Sequence, residues 1–374
     1  MVDNSNLFKK YTLNNKIVAP SLLSVAPMTL FGSNPDGTIS EEEKEFLKIR
    51  ATNVGLYILG ATCTSQEGLA FDNQPRAFDD KDIPSNQERA KIVKAQGALA
   101  INQIHHGGCL ALKRVSGVPV KAVSAEVFNK ELEKKGELND ETKTIDLTKE
   151  DIKRIINDFA KATEISIKAG YDGIEIHGAN NYLIQQFYSG YYNKRNDEWG
   201  GSLEKRMKFP LEIVDACCKI RDKYKKPEFI IGYRLSPEEP FDDGITMTET
   251  LALVKALVKK PLQFIHVSQS KFFQEVRRGE GVGKPRLKVI HDEINGKMAL
   301  VGVGGLLTAQ DFNKALNSGL VEFIGAGQAF LLNKDLGILL KEGKGDKIVL
   351  QYDVNHPEKY SLPKMLWNMF TKKK

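Results

Sequence analysis

Eight short apolar runs, each followed by a segment with helical periodicity, constrain this chain more than any other feature. They are Ser24–Met28, Gly55–Gly60, Ala98–His105, Gly173–His177, Phe229–Leu235, Phe264–Val267, Ala299–Gly304 and Phe323–Gly325. Near-continuous apolar strands alternating with amphipathic helices predict a parallel sheet covered by helices. Three helix starts are readable as capping-box patterns: Ser40 with Glu43, Thr148 with Asp151, and Thr308 with Asp311. Eight such units over about 330 residues predict an α/β fold, a (β/α)8 TIM barrel, rather than an open sheet. A doubly wound nucleotide fold would carry G-x-G-x-x-G directly after an early strand, and none stands there.

Residues 1–343 read as the barrel and 344–374 as a C-terminal extension. Within the extension Leu362, Met365, Leu366, Trp367 and Phe370 predict an amphipathic segment that packs on the barrel or on a partner subunit. Three insertions interrupt the repeat. Lys113–Lys143 follows the third strand and carries the charged run Lys130–Glu137, read as an exposed segment or lid. Ser189–Gly201 follows the fourth strand and is aromatic and glycine-rich. Gln269–Pro285 follows the sixth and combines glycines with Arg277 and Arg278, which suits a flexible lid or a loop touching substrate or nicotinamide.

Charge and composition narrow the function classes. The chain has 374 residues, 41% of them apolar, and a net charge of +6 from 54 basic and 48 acidic side chains. The basic residues form no stripe interleaved with aromatics, so nucleic-acid binding is not expected. The short terminal run Lys372–Lys374 reads as solvated. No apolar stretch approaches the length of a membrane span, and Met-Val-Asp-Asn-Ser does not begin a signal peptide. Cys63, Cys109, Cys217 and Cys218 lack zinc or Cys-x-x-Cys spacing, which suits reduced thiols in the cytoplasm and no metal site.

A barrel places its chemistry at the C-terminal ends of its strands. Those ends carry Pro27-Met28-Thr29, Gly60-Ala61-Thr62, Gln103 with His105-His106, His177, Arg234, Ser268, Gly304-Gly305 and Gly327-Gln328. The richest is the fourth, where His177, Asn180 and Tyr182 offer an imidazole, an amide and a phenol within six residues. Such donors suit a carbonyl or anionic oxygen. The same spacing also fits a core histidine, a helix-capping asparagine and a packed tyrosine. Glycine-rich ends on the last two strands, Gly304, Gly305 and Gly327, suit a phosphate cradle.

Together these residues resemble the Old Yellow Enzyme family of FMN-dependent oxidoreductases. The resemblance rests on His177-Gly-Ala-Asn-Asn-Tyr182-Leu-Ile-Gln-Gln-Phe187, Asp197-Glu-Trp-Gly-Gly-Ser202, Arg206, Ala26-Pro27-Met28-Thr29 and Gln103-Ile-His-His106. It implies bound FMN, reduced by NADH or NADPH, with hydride passing on to a small activated alkene, quinone or nitro compound. It further implies that Ala26, Pro27, Met28 and Ala61 line the isoalloxazine and that Thr29 bonds near its C4 carbonyl. Gln103 would pair with the pyrimidine edge and Arg234 stand by N1–C2. His177 and Asn180 would hold the acceptor's oxygen and Tyr182 would donate a proton. Members often self-associate, so a homo-oligomer is an expectation. Electrons should arrive directly from NAD(P)H, since no four-cysteine cluster motif is present. The chain departs from the pattern at Gln328, where an arginine commonly clamps the FMN phosphate, at Cys109 in place of an arginine, and at Gly60 in place of an acid. Thr29 in place of cysteine argues against a thiol sensor. Two other readings stay open: a barrel lyase or isomerase using the cradle for its own substrate, and a degenerate flavin-binding protein without turnover.

Overall fold

The computed structural model describes residues 3–371, so Lys372–Lys374 lie outside the described residues. Eight parallel strands close into one barrel: β1 (Leu23–Val25), β2 (Leu56–Cys63), β3 (Leu99–His105), β4 (Gly173–Gly178), β5 (Ile230–Leu235), β6 (Phe264–Val267), β7 (Ala299–Gly302) and β8 (Phe323–Ala326). Each strand pairs with its successor, and β8 returns to β1 through Ile324 opposite Leu23. The main helices alternate with them: α1 (Glu41–Arg50), α2 (Ile83–Lys94), α3 (Lys149–Lys168), α4 (Leu203–Lys223), α5 (Met247–Leu257), α6 (Arg286–Ile294), α7 (Ala309–Asn317) and α8 (Leu336–Lys341). This is the TIM barrel read from the sequence. No helix among the described residues is long and apolar enough to cross a membrane.

Two strands stop earlier than their apolar runs. β1 ends at Val25 because Pro27 has no N–H to donate to a ladder; the last bond on that side runs from Ala26 N to Ala326 O at 2.9 Å. Pro27–Thr29 are thereby released from the sheet. β7 ends at Gly302, since Gly304 and Gly305 have φ of 138° and 64°, outside the extended region.

The helix starts hold with one difference. Thr148 and Asp151 form a full capping box on α3, as do Thr308 and Asp311 on α7 and, unanticipated, Thr246 and Glu249 on α5. Ser40 does accept from the Glu43 backbone, but the Glu43 carboxylate does not return the bond. It is drawn instead to the Arg89 guanidinium, at 2.7 and 2.9 Å, in a fully buried pair between α1 and α2. A charge-assisted bidentate contact outweighs a single neutral cap.

An antiparallel hairpin, Tyr11–Thr12 with Val18–Ala19, escaped the sequence reading because each strand is two residues long. Its Leu13 and Ala19 join Leu56, Ile58, Ile101, Ile230, Phe264, Ala299, Val301 and Phe323 in a buried apolar cluster inside the barrel. Asn14 Nδ2 ties the hairpin to the carbonyls of Leu262 and Lys297, which precede β6 and β7, at 2.8 and 3.0 Å. The N-terminal end of the barrel is thus plugged, and chemistry is left to the other end.

The insertions are more ordered than expected. The charged run after β3 lies on a helix, Ala125–Lys135, within a small unit whose strands Val120–Ala122 and Thr144–Asp146 pair in parallel. Arg195, in the loop after β4, ties this unit down through the carbonyls of Val123 and Leu147 at 3.2 and 2.8 Å. The loop after β6 is pinned rather than free. The buried Glu238 carboxylate receives Arg286 Nε at 2.5 Å and the Arg278 backbone N–H at 2.9 Å. The C-terminal segment forms α9 (Lys364–Thr371), with Trp367 stacked on Tyr360 and the Lys364 N–H on Glu42 at 2.9 Å.

Candidate active site

The C-terminal ends of the strands bring the fourth-strand motif, the third-strand histidine and the fifth-strand arginine to one mouth. His177 closes on itself: its Nδ1 accepts from the Ala179 N–H at 3.3 Å, so the ring proton sits on Nε2. Burial pushes this imidazole well below its usual range, and it is neutral. Among the described residues its Nε2–H has no partner, and unlike the corresponding atoms of His105 and His266 it is not sealed from solvent.

Asn180 is not a helix cap. It and Asn181 adopt left-handed backbone, φ 57° and 61°, a conformation asparagine tolerates. The turn is held from outside by Ser236 Oγ, which accepts from Asn180 N at 2.9 Å. Gln185 and Gln186 hold it from the following helix, Leu183–Tyr188, through the Asn181 N–H and carbonyl. The Asn180 amide is oriented by a chain. Arg234 Nη2 donates to Ser268 Oγ at 3.2 Å, and Ser268 Oγ donates to Asn180 Oδ1 at 2.8 Å. Among the described residues nothing engages the Asn180 Nδ2 donors. Both side chains read as oxygen-binding groups therefore present N–H and no acceptor.

Tyr182 packs its ring 5.1 Å from His177 and edge-on at 4.2 Å from His105. Burial raises its phenol, opposed by the Arg234 charge, so it carries its proton at neutral pH. His105 is itself oriented by Gln74, a residue without any sequence signal. The Gln74 carbonyl oxygen accepts from Ala70 N at 2.8 Å and its amide donates to Ala61 O at 3.1 Å and to His105 Nδ1 at 3.0 Å. Burial pushes His105 down to about 3, which keeps it neutral with the proton on Nε2.

Below this level lies a buried polar layer. Gln103 Nε2 donates to Glu175 at 2.6 Å, and His266 Nδ1 lies 2.7 Å from the other Glu175 oxygen. Arg234 is buried beside them, its Nε without a partner among the described residues. Among the described residues Gln103 Oε1 has no partner and remains open.

The wall is made by Ala26, which is buried, and by half-buried Pro27, Met28 and Thr29. Opposite them β2 slips register between Leu59 and Thr62, a bulge at Gly60-Ala61. Gly60 is tightly enclosed: a Cβ there would lie 2.7 Å from Pro27 Cβ and 2.8 Å from Met28 N. Any side chain at this position would displace the wall as it stands. Cys109 is buried in the short turn Gly108–Leu110, its backbone N–H held by Gln186 Oε1 at 3.1 Å. On the far side Gly304 abuts the backbone of Lys271 and Phe272, where a Cβ would come within 2.5 Å, and Gly327 meets Met28 Sδ. Gln328 is exposed in the first turn of the short helix Gln328–Leu332.

An unpaired buried guanidinium N–H, an open amide oxygen, a largely apolar wall and two glycine ends match a flavin mononucleotide by chemistry. Arg234 and Gln103 suit its pyrimidine edge, and the glycines suit its phosphate. Residues 7–347 match the model of the NADH:flavin oxidoreductase / NADH oxidase family. The chain belongs to that family. It is 38% identical over 363 residues to a probable NADH-dependent flavin oxidoreductase, YqiG, of Bacillus subtilis, covering 96% of this chain and 94% of that one. It is also 31% identical to an NADH:fumarate oxidoreductase of Klebsiella pneumoniae, but spans 39% of that protein's length. Among solved structures, the Old Yellow Enzyme homologue of Zymomonas mobilis superposes with a TM-score of 0.76 at 25% identity, over 95% of this chain and 98% of that one. As a member of the NADH:flavin oxidoreductase family the chain is an FMN-dependent oxidoreductase with NAD(P)H as electron donor.

Glu175, His266 and Gln74 were missed by sequence reasoning. For the first two a signal existed. Glu175 stands two residues before His177, on the same inward face of a strand, and His266 lies between apolar neighbours on β6. Ser268 and His105 stand at strand ends, but their partners were not readable.

Proposed function

We propose that the enzyme reduces activated alkenes, quinones or nitro compounds, with His177 and Asn180 binding the acceptor's oxygen and Tyr182 supplying a proton. One observation carries this reading: both residues have their other hydrogen-bonding atom engaged, so each offers only N–H to the mouth. Oxygen that gains charge during reduction is stabilised by such preorganised donors. Bound FMN supplies hydride taken from NADH or NADPH. The chain's residues do the rest: Arg234 sets a cation at the pyrimidine edge, and Gln103 orients that edge. Tyr182 holds its proton at the phenol oxygen until the acceptor's α-carbon needs it. Gly304, Gly305, Gly327 and Gln328 would hold the phosphate, while Ala26, Pro27, Met28, Thr29 and Ala61 would line the ring. The substrate of the Klebsiella relative carries little weight, given how little of that protein is matched. Four buried cysteines without a disulfide suit a cytoplasmic setting. The segment from 344 onward is proposed as an extension beyond the barrel proper.

The test is the visible flavin spectrum of the FMN-loaded protein under anaerobic conditions. NADH or NADPH should bleach it, and a cyclic enone, a quinone or a nitroarene should restore it. Bleaching without restoration by any of the three would overturn the substrate class; no flavin binding would overturn the whole reading. Ser268→Ala should free the Asn180 amide to rotate, lowering kcat roughly two- to tenfold, the weight of one hydrogen bond. FMN affinity, measured by titrating apo-protein, should change less than kcat.

A further inference from the structure

Four consecutive strands point polar side chains into the barrel directly above its apolar cluster: Gln103 on β3, Glu175 on β4, Arg234 on β5 and His266 on β6. Gln103 is in register with Glu175, and Arg234 with both His177 and His266. Glu175 and His266 are wholly buried and Gln103 is 1% exposed. Neither Glu175 nor His266 belongs to the motifs that mark the family resemblance.

A carboxylate sealed in a barrel is costly, and an apolar residue of similar volume commonly serves stability as well or better. Something other than packing is therefore the natural account of its presence. Two consequences follow from its chemistry. An ionised carboxylate only accepts, so Gln103 must turn its Nε2 down and its Oε1 up. By the same logic His266 carries its proton on Nδ1. The second consequence is electrostatic. Arg234 is the cation of the site, and its field is partly offset by the anion packed beneath it. Inside a low-dielectric barrel that offset is larger than it would be in water.

We propose that Glu175, with His266 as its second donor, is a positioning residue that fixes the hydrogen-bond polarity presented to FMN and lowers the flavin's midpoint potential. Gln103 Oε1 would then suit the ring N–H of the pyrimidine edge, the one donor that edge offers, and Arg234 would suit the neighbouring carbonyl. Without the Glu175 charge, Arg234 would favour added negative charge on the flavin more strongly. The inference rests on the proposal that FMN occupies this mouth.

The experiment is a dye-coupled spectrophotometric measurement of the flavin midpoint potential, beside FMN titration of apo-protein, for wild type, Glu175→Gln, His266→Gln and His266→Leu. Glu175→Gln removes the charge and lets Gln103 present either end of its amide. Reduced FMN should gain at least about tenfold over oxidised FMN in relative affinity, a rise of about 30 mV for a two-electron couple. Oxidised FMN should bind more weakly by several-fold. His266→Gln keeps a donor on Glu175 and should stay near the wild-type potential, whereas His266→Leu removes that donor and should shift it. A folded, FMN-loaded Glu175→Gln with an unchanged potential overturns the inference. Should that variant not fold, equal potentials in wild type and His266→Leu overturn it instead. Failure of the wild type to bind FMN would sink the cofactor placement itself, a distinct outcome.

Discussion

His177→Ala and Asn180→Ala should each lower the turnover of an activated alkene by roughly 10²–10³-fold, equivalent to about 2.7–4 kcal/mol of lost transition-state stabilisation. The expectation comes from geometry. His177 is locked as an Nε2–H donor by the Ala179 backbone, and Asn180 as an Nδ2 donor by Ser268. Neither needs to reorganise as charge builds on the acceptor's oxygen. The loss should appear in the oxidative half-reaction, followed in stopped flow as restoration of the flavin band. FMN content should be preserved, since the atoms assigned to the cofactor belong to Gln103 and Arg234. Equal loss of flavin and turnover would show instead that the pair holds the mouth together. Asn180→Asp is a sharper probe, because it keeps the acceptor that Ser268 bonds and replaces the free N–H by a second acceptor. Its turnover should fall at least as far as that of Asn180→Ala.

Gln328→Arg should tighten FMN binding by about one to two decades. A charge-assisted hydrogen bond to phosphate is worth about 1.5–3 kcal/mol, and each 1.4 kcal/mol is about tenfold in affinity. Gln328 is exposed beside Gly327, at the end of β8, where burial does not confine a longer cationic side chain. The neutral amide supplies at most an uncharged bond. The wild-type enzyme is accordingly expected to lose FMN on dilution or purification more readily than the variant. Fluorescence titration of the apo-proteins at fixed ionic strength measures both constants, and raising the salt should narrow the gap between them. Nanomolar affinity in the wild type, unchanged in Gln328→Arg, would mean that another group already neutralises the phosphate.

Most of the barrel was legible in the sequence because each of its strands is buried on both faces and reads as an apolar run. The boundaries that shifted did so for local reasons. Pro27 cannot extend a ladder, and Gly304-Gly305 turn out of it. The plug hairpin was hidden because two-residue strands carry no periodicity. The loop after β6 looked flexible because its composition is basic and glycine-rich. It is held by Glu238, a residue far away in sequence.

The candidate site divides in the same way. His177, Asn180 and Tyr182 fall within six residues of one strand end, so the amino-acid sequence alone determined which groups would gather there and in what order. What it could not contain is the direction each one donates. Gln103 takes its polarity from Glu175, 72 residues away, Glu175 meets His266 at a separation of 91, and Asn180 meets Ser268 at 88. An amide or an imidazole is both donor and acceptor until a neighbour claims one end. Only the closed barrel brings that neighbour into place, and so only the tertiary structure decided which end faces the mouth.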